Sequence, residues 1–478
     1  MKLQLEHTFA RDLEGLYIPH TPQGFPQPEL MLFNDALNEA LGLPEVTPEQ
    51  AAMLFSGSGL PDDAEPLAQA YAGHQFGGFN PQLGDGRATL IGEKVAPDRR
   101  RFDLQLKGSG RTPFSRGGDG RAAVGPVLRE YLVSEAMHHL GVPTTRVLAA
   151  IKTGETIRRE TPLPGAVLTR VAASHLRVGT LQFFSAREDH ESLKRLVDYT
   201  LQRHFPDRVG AESPALALLN GVALAQANLI ARWMHVGFVH GVMNTDNFAL
   251  SGETIDYGPC AFMDTYDPAT VFSSIDHHGR YAYGNQPGIG KWNLARMGEA
   301  LLPLLNADQD AAVKQVYGVL DLYQSTFEGH FLAGMRRKFG LVGDEAGDAP
   351  LISTFFDWMR DTHKDFTSTF RALARGLRED ALPFDDVPFA QWHTRWRARH
   401  GDAEPASVAD AMDRVNPLYI PRNHLVEEVL EAAEGGDLDP IRTLLQVLAS
   451  PFEVQAGRER YAEPAPASFG CYRTFCGT

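Results

Sequence analysis

The feature that most constrains the fold is a change in the spacing of apolar residues near residue 175. Before that point, apolar and polar residues alternate over short segments, such as residues 87–94 and 102–107, which is typical of β-strands. After it, apolar residues recur every three or four positions over long segments, namely 192–205, 214–236, 292–305 and 310–338. We therefore predict an α+β protein in which a small antiparallel sheet precedes a larger, mostly helical part.

One helix is predicted inside the sheet-forming part, over residues 124–140. Pro126 lies in its first turn, where proline is tolerated, and Gly141 followed by Pro143 ends it. Turn residues at 97–100 predict a hairpin between the two strands that precede the helix. Two further strands are predicted after it, at 147–151 and 166–171.

Charge and composition restrict the partners of this chain. Sixty acidic against 45 basic residues give a formal net charge of −15, which repels phosphate backbones and anionic lipid. We therefore expect no nucleic-acid or membrane partner. The most apolar stretch, residues 215–239, contains polar residues at five positions, so it predicts a buried helix rather than a membrane span. With no signal-peptide pattern and only 3 cysteines, we expect a cytoplasmic protein. We also expect a monomer.

Two glycine-rich segments border the predicted strands. In the first, residues 80–88, Gly84 and Gly86 would let backbone amides approach a phosphate, although an ordinary hairpin turn also explains them. Asp85 at the tip is unfavourable for that role, because it would repel a phosphate. The second segment, residues 107–121, contains five glycines and three arginines before a helix N-terminus. It predicts a local anion-binding nest, and a flexible surface loop with solvated arginines is the alternative.

Lys107 and two arginines are further candidates for this anion site. A buried Lys107 needs a carboxylate partner, for which the following helix offers Glu130 and Glu135, and the sequence does not choose between them. Arg170 and Arg177 lie near the expected junction of the two parts and would clamp a triphosphate, or else form surface salt bridges.

The sequences HGVMNTDN at 240–247 and SGETIDYGP at 251–259 resemble the catalytic and metal loops of kinases and small-molecule phosphotransferases. In those loops an Asn and a later Asp coordinate magnesium. Aligning Asn247 on the Asn of the loop places Val242 where the usual catalytic Asp stands. Asp246 is the nearest replacement and would accept or orient a proton from a hydroxyl. A hairpin with an Asn-rich turn is the alternative.

These segments fit a two-lobed, protein kinase-like fold. We place the N-lobe, with the glycine loop and the strand lysine, at residues 1–175. The helical C-lobe, with the catalytic and metal loops and a cysteine-containing tail, follows at residues 176–478. We assign no metal to the DHHGR motif at 276–280, since adjacent histidines on a short turn rarely share an ion.

Five motifs together resemble the selenoprotein O (YdiU) family over essentially the whole chain. They are YAGHQFGG at 71–78, QLGDGR at 82–87, QLKGSGRTPFSRGGDGR at 105–121, HGVMNTDN at 240–247 and IDYGP at 255–259. The resemblance implies a kinase-like fold that transfers AMP from ATP to Ser, Thr or Tyr hydroxyls of proteins, including itself, and releases pyrophosphate. It also implies a flipped nucleotide, Mg²⁺ or Mn²⁺ as the metal, and UMP transfer with manganese.

The same resemblance assigns roles to particular residues. Asp246 would be the proton acceptor, Asn247 and Asp256 would hold the metal, and Glu130 would pair with Lys107. The residues that it places around ATP are Gly84, Gly86, Arg87, Lys107, Asp119, Gly120, Arg170, Arg177 and Asp256.

Two other functions stay open, and one regulatory feature is suggested. A γ-phosphate protein kinase is the first alternative, although Val242 argues against it; a pseudokinase scaffold that binds ATP without turnover is the second. The family resemblance also suggests redox control through a C-terminal cysteine. Cys260 is the only thiol outside the tail that Cys471 or Cys476 has as a partner, so a Cys260–Cys476 bridge is a hypothesis.

Overall fold

A computed structural model describes residues 1–475 of the chain. Strands dominate the first part and helices the second, as the spacing of apolar residues predicts. The strands are β1 (Leu5–Glu6), β2 (Tyr17–Pro19), β3 (Glu29–Phe33), β4 (Leu67–Gln69), β5 (Gly73–Gln75), β6 (Gly78–Asn80), β7 (Ala88–Val95), β8 (Arg101–Lys107), β9 (Ala122–Ala123), β10 (Arg146–Arg158), β11 (Pro162–Ala172), β12 (Phe238–Val239) and β13 (Ala261–Phe262). The helices are α1 (Thr8–Asp12), α2 (Asp35–Leu41), α3 (Pro48–Ser56), α4 (Val124–His139), α5 (Val178–Ser185), α6 (His190–His204), α7 (Pro214–Val236), α8 (Gln286–Leu305), α9 (Gln309–Lys338), α10 (Asp348–Asp361), α11 (Phe366–Glu379), α12 (Val387–Arg399), α13 (Pro405–Asp413), α14 (Asn423–Glu434) and α15 (Asp439–Leu448).

The main sheet has nine strands within residues 1–475, and all their pairings are antiparallel. Its order is β2-β4-β7-β8-β11-β10-β3, with β1 beside β7 and β9 beside β11. The predicted hairpin joins β7 to β8, with Ala88 opposite Lys107 and Val95 opposite Arg101. The predicted fold class, an α+β protein with an antiparallel sheet followed by many helices, is confirmed.

Helices cover both faces of this sheet. Since neighbouring residues of a strand point to opposite sides, one strand contributes side chains to the core on each face. On one face, Leu148 and Ile151 of β10 lie in a core with α2 and α3. On the other face, Val147 and Ala150 of the same strand lie in a core with α4, α14 and α15. The sequence did not predict α2 and α3, nor the strands before residue 88, because such short elements contain too few residues to establish a period.

The last two helices return to the sheet-forming part of the chain. Leu425 and Val429 of α14 and Ile441 of α15 are buried in the same core as Leu128 of α4. The lobe boundary at residue 175 therefore stays a proposal based on chain order, since helices from the second stretch pack within the first.

Helix α7 is the central helix of the second part. Among residues 1–475 it is the one helix long and apolar enough to cross a membrane by length and composition, yet 61% of its most apolar window is buried in the fold. Its bounds match the predicted 214–236. The prediction of a buried core helix is confirmed.

Asp103 connects the sheet to the helical part. It lies on β8, is 2% exposed, and accepts hydrogen bonds from the backbone amide of His175 at 2.9 Å and its Nδ1 at 3.0 Å. Arg203 of α6 donates to it at 2.6 Å. Burial alone would raise the pKa of Asp103, but the charge of Arg203 and the hydrogen bonds from His175 outweigh it and hold the pKa at about 2. The carboxylate is therefore ionised inside the core.

We predict that Asp103→Asn lowers the free energy of unfolding by about 3 kcal/mol, because it leaves the buried charge of Arg203 partly uncompensated. Urea denaturation followed by circular dichroism measures this loss. Asp98→Asn is the control, since Asp98 pairs with Arg100 on an exposed turn, and it should cost less than about 1 kcal/mol. Equal losses in the two variants would contradict the prediction.

Candidate active site

A cavity of about 390 Å³ lies where the sheet meets the helical part. Every residue that the sequence placed at the site lines it: Gly84, Gly86, Arg87, Lys107, Asp119, Gly120, Arg170, Arg177, Asp246, Asn247 and Asp256. They come from segments as far apart in sequence as residues 84 and 256, so the fold brings them together. Their individual roles stay predictions.

Lys107 makes two ion pairs in the wall of this cavity. Its Nζ atom lies 2.6 Å from Glu130 Oε2 on α4 and 2.6 Å from Asp256 Oδ1 in the loop after β12. Glu130 also accepts a hydrogen bond from Arg170 at 3.2 Å. Glu135, the other carboxylate that the sequence offered, pairs with Arg146 instead. The structure thus resolves the choice in favour of Glu130.

Asp256 is held in an unusual backbone conformation and stays ionised. Its φ of +68° lies in the left-handed region, which non-glycine residues seldom adopt. Burial alone would raise the pKa of Asp256, but the charges of Lys107, Arg87 and Arg170 outweigh burial and hold the pKa well below its usual range. The preceding carbonyl, of Ile255, accepts a hydrogen bond from His240 at 2.9 Å, which fixes the start of this loop.

The two arginines differ in how firmly protein groups hold them. Arg170 is 3% exposed and donates to Gln105 at 2.7 Å as well as to Glu130. Arg177 lies over the Tyr71 ring at 4.4 Å, and its nearest carboxylate, Asp85, is 4.0 Å away. The Nε atom of Arg177 is buried without a hydrogen-bond partner among residues 1–475. Arg177 therefore keeps donor capacity for an anion in the cavity.

The two glycine segments shape the cavity by close packing. Gly84 has φ +79°, and a Cβ there would lie 2.4 Å from the Phe114 ring. Gly120 has φ +69°, and a Cβ there would lie 2.1 Å from the carbonyl oxygen of Gly110. Larger residues are excluded at both positions by sterics as well as by backbone conformation.

Asp85, which would repel a phosphate at the glycine loop, is occupied by donors of the protein. Its side chain is 3% exposed and accepts hydrogen bonds from Gln105 at 2.9 Å and from the backbone amide of Gln69 at 3.3 Å. Burial raises the pKa of Asp85, while Arg177 opposes that shift. The carboxylate therefore acts as a buried partner for neighbouring donors.

Sequence reasoning missed two residues that order the site. Arg159 donates to Asp119 at 2.7 and 3.1 Å and lines the same cavity rim. Gln75 donates to Asp246 Oδ2 at 3.1 Å. Gln75 belongs to the YAGHQFGG motif, and the length of that motif could have indicated a role for its residues in the site. Nothing in the sequence around Arg159 distinguishes it from a surface arginine.

Asp246 lies in a short 3₁₀ turn, Thr245–Asn247, that the β5–β6 hairpin holds in place. The backbone amide of His74 donates to Thr245 Oγ1 at 2.6 Å. Asp246 Oδ1 is buried and has no hydrogen-bond partner among residues 1–475. Burial raises the pKa of Asp246 to about 6, and Arg177 opposes the shift. One oxygen of this carboxylate is therefore free for a proton or a cation.

The oxygen atoms near Asp246 fit a hard divalent cation. Asn247 uses its Nδ2 to donate to the Val242 carbonyl at 3.1 Å, which leaves its side-chain oxygen available. Asp256 is an ionised carboxylate in the same cavity. Carboxylate and amide oxygens are the ligands that Mg²⁺ and Mn²⁺ prefer.

The cysteines are placed very differently. Cys260 is fully buried and its Sγ donates to the Tyr257 carbonyl at 3.4 Å; burial raises the pKa of its thiol to about 12. Cys471 is exposed. Cys476 lies outside the described residues, so the Cys260–Cys476 pairing stays a hypothesis.

The side chains in this cavity define a site for a phosphate-bearing ligand. A strand lysine paired with a helix glutamate, together with glycine-rich segments and arginines, is a combination by which kinases bind the phosphates of a nucleoside triphosphate. Val242 at the usual position of the kinase base, with Asp246 four residues later, separates this site from ordinary protein kinases.

Comparison with known proteins identifies the family. The family model described as "Protein adenylyltransferase SelO" matches residues 1–449. Proteins named "Protein nucleotidyltransferase YdiU" match over the whole chain: 57% identity in Cereibacter sphaeroides (strain KD131), covering 100% of both chains, and 54% in Mycobacterium sp. (strain KMS), covering 100% of this chain and 99% of the relative. The chain belongs to this family and is an enzyme of the nucleotidyltransferase class.

A solved structure of ROP2 from Toxoplasma gondii, described as a virulence factor with a protein-kinase fold and no enzymatic activity, was also matched. It is 10% identical, covers 72% of this chain and 88% of its own, and superposes with a TM-score of 0.26. A score that low has no bearing on the function of this chain.

We predict that Gly73→Ala slows nucleotidyl transfer by about 100-fold, because misplacing a reacting group by an ångström has effects of that size. A Cβ at Gly73 would lie 2.9 Å from Asp246 Oδ1 and 3.0 Å from Leu83. Pyrophosphate release measures the rate. Gly78→Ala, in the same hairpin, is the control, because its Cβ would meet nothing closer than 3.5 Å. Full activity of Gly73→Ala would refute the tight packing of Asp246.

Proposed function

We propose that this protein is a metal-dependent protein adenylyltransferase. It transfers AMP from ATP to Ser, Thr or Tyr hydroxyls of proteins, including its own, and releases pyrophosphate. The names of its relatives support the protein acceptor and the nucleotidyl group. The observation that carries the proposal is the free, buried Oδ1 of Asp246 in the same cavity as Lys107 and Arg177.

The proposal includes a nucleotide that lies flipped relative to its orientation in kinases. The terminal phosphates then point inward, toward Lys107, Arg170 and Arg177, whose charges compensate the leaving pyrophosphate. The α-phosphate lies on the side of Asp246, where an acceptor hydroxyl reaches it. In this orientation the acceptor hydroxyl lies beside Asp246, so the carboxylate is needed at position 246 and not at position 242, where kinases have their base.

The transfer step follows from these positions. Asp246 accepts the proton of the acceptor hydroxyl, and the hydroxyl oxygen forms a bond to the α-phosphorus. The bond between the α-phosphorus and the oxygen that bridges to the β-phosphate breaks, and its electron pair leaves with pyrophosphate. Arg177, with an unused Nε donor, stabilises the charge on the phosphates.

Asn247 and Asp256 are the proposed ligands of Mg²⁺ or Mn²⁺. A bound cation would neutralise charge on the phosphate oxygens and orient them. Asp256 would be shared between the cation and Lys107, whose ion pair holds this carboxylate ionised. UMP transfer from UTP in the presence of manganese is part of the same proposal.

The setting of the enzyme completes the proposal. A cytoplasmic monomer without nucleic-acid or membrane partners agrees with the net charge of −15 and the small number of cysteines.

Labelled ATP tests the reaction. With a divalent metal, we expect label at the α-phosphate to become attached to protein and label at the γ-phosphate to leave as pyrophosphate. Label from the γ position alone would make the protein a kinase, and ATP binding without any label transfer would make it a pseudokinase scaffold. α-labelled UTP with manganese tests UMP transfer in the same assay.

Asp246→Asn should abolish transfer while the dissociation constant for ATP changes by less than about 3-fold, because the substitution removes a proton acceptor but keeps the shape of the side chain. Calorimetric titration with ATP measures binding, and protein-bound label measures transfer. Asp321→Asn, an exposed carboxylate on α9, is the control and should keep wild-type activity. Transfer by Asp246→Asn at the wild-type rate would exclude Asp246 as the base.

Chelation of divalent cations should stop transfer, and added Mg²⁺ or Mn²⁺ should restore it. We expect Asn247→Ala to raise the metal concentration for half-maximal rate by at least about 10-fold, since even outer-shell partners of a metal contribute that much. The metal dependence of the initial rate measures the shift. An unchanged metal dependence would remove Asn247 from the ligand set.

A further inference from the structure

A groove beside Asp246 is not used by the nucleotide site. Its walls are Phe76 at the turn of the β5–β6 hairpin, the DHHGR segment with Ile275 before it, and the first turn of α8. Its volume is about 530 Å³. We refer to it as the hairpin groove.

The hairpin groove shares its supports with the catalytic turn. Phe76 donates its backbone amide to Asn244 at 3.0 Å, and Tyr281 donates its hydroxyl to the same Asn244 oxygen at 2.6 Å. Gln75, one residue before Phe76, donates to Asp246. A chain lying in this groove is therefore next to the proton acceptor.

Large apolar side chains are exposed along this face. Phe76 is 39% exposed, Phe79 of the same hairpin 44%, and Ile275 across the groove 49%. Exposed apolar residues grouped around a concave surface mark sites of protein interaction. Phe76 and Ile275 line the hairpin groove, and Phe79 belongs to the hairpin that carries Phe76.

Arg280 supplies a positive charge without a protein partner. It is partly buried, lies over the Trp292 ring at 4.6 Å and forms no ion pair among residues 1–475, and its Nε and Nη2 atoms are buried there without a hydrogen-bond partner. Asp276, the acidic residue of the groove, accepts instead from the backbone amides of Arg280 at 2.9 Å and Tyr281 at 2.8 Å. The positive charge of Arg280 is thus not paired with a carboxylate among residues 1–475, in a chain whose net charge is −15.

We propose that the hairpin groove docks the acceptor protein by an extended segment that carries an acidic side chain for Arg280 and an apolar side chain for Phe76 and Ile275. The inference rests on the proposed function and deepens it, since it specifies which acceptors are used. Charge complementarity favours this occupant: Arg280 is a planar guanidinium suited to a carboxylate, and the apolar residues beside it suit a polypeptide.

Direct binding tests the proposal independently of catalysis. Two short fluorescein-labelled peptides share a serine and a phenylalanine and differ only in having glutamate or lysine around the serine. We expect the wild-type enzyme to bind the acidic peptide at least about 10-fold more tightly, with the difference reduced by salt. Arg280→Glu should lose that preference, and Arg395→Glu, an exposed arginine on α12, should keep it. Calorimetric ATP binding and thermal melting verify that both variants are folded.

Each outcome decides the proposal. Equal binding of the two peptides, or an acidic preference that survives Arg280→Glu, overturns it. So does a concentration-dependent dimer in which the groove is covered by a second copy. If the enzyme binds the acidic peptide more tightly but transfers no AMP, docking is supported and the proposed function is refuted. If it binds both peptides equally and transfers AMP to both at equal rates, the proposed function is kept and docking is refuted.

Discussion

The ion pairs of Lys107 are the constraint on which the active site depends. Lys107 on β8 contacts Glu130 on α4 and Asp256 in the loop after β12, and Glu130 in turn pairs with Arg170 on β11. Two cations and two carboxylates thus neutralise each other in the wall of the cavity. Because an uncompensated buried charge costs several kcal/mol, none of these elements can shift without the others. The arrangement of sheet, helix and loop around the cavity follows from this pairing.

Two polar groups near these ion pairs have no partner of their own, and they indicate which ligands the cavity can bind. Arg177 keeps a buried Nε without a partner, and Asp246 keeps a buried oxygen without a partner, both among residues 1–475. The first suits an anion and the second a proton or cation. The position of Asp246 depends on the hairpin of β5 and β6, which carries Gln75, rather than on the glycine segments. Val242 leaves the usual position of the kinase base apolar.

The sequence predicted the parts of the fold that have long, regular patterns. The bounds of α7 agree with its apolar spacing, and the β7–β8 hairpin agrees with its turn residues. Short elements such as β5 and β6 have no readable period, and so the support for Asp246 was missed although its motif was recognised. For the active site, the motifs predicted which residues take part but not which residues pair with each other. Glu130 and Glu135 both lie on α4 and point in different directions from it, so that Glu130 pairs with Lys107 and Glu135 with Arg146.

Helix α4 extends the influence of the ion pairs to the end of the chain. Arg129, next to Glu130, donates to the Cys260 carbonyl at 2.6 Å and to the Tyr472 hydroxyl at 2.9 Å. The loop that begins with Asp256 is thus fixed at one end by Lys107 and at the other by Arg129. Between these two ends lies Asp256, whose φ of +68° is in the left-handed region that non-glycine residues seldom adopt. The C-terminal segment therefore contacts the same helix, α4, that holds Lys107 through Glu130.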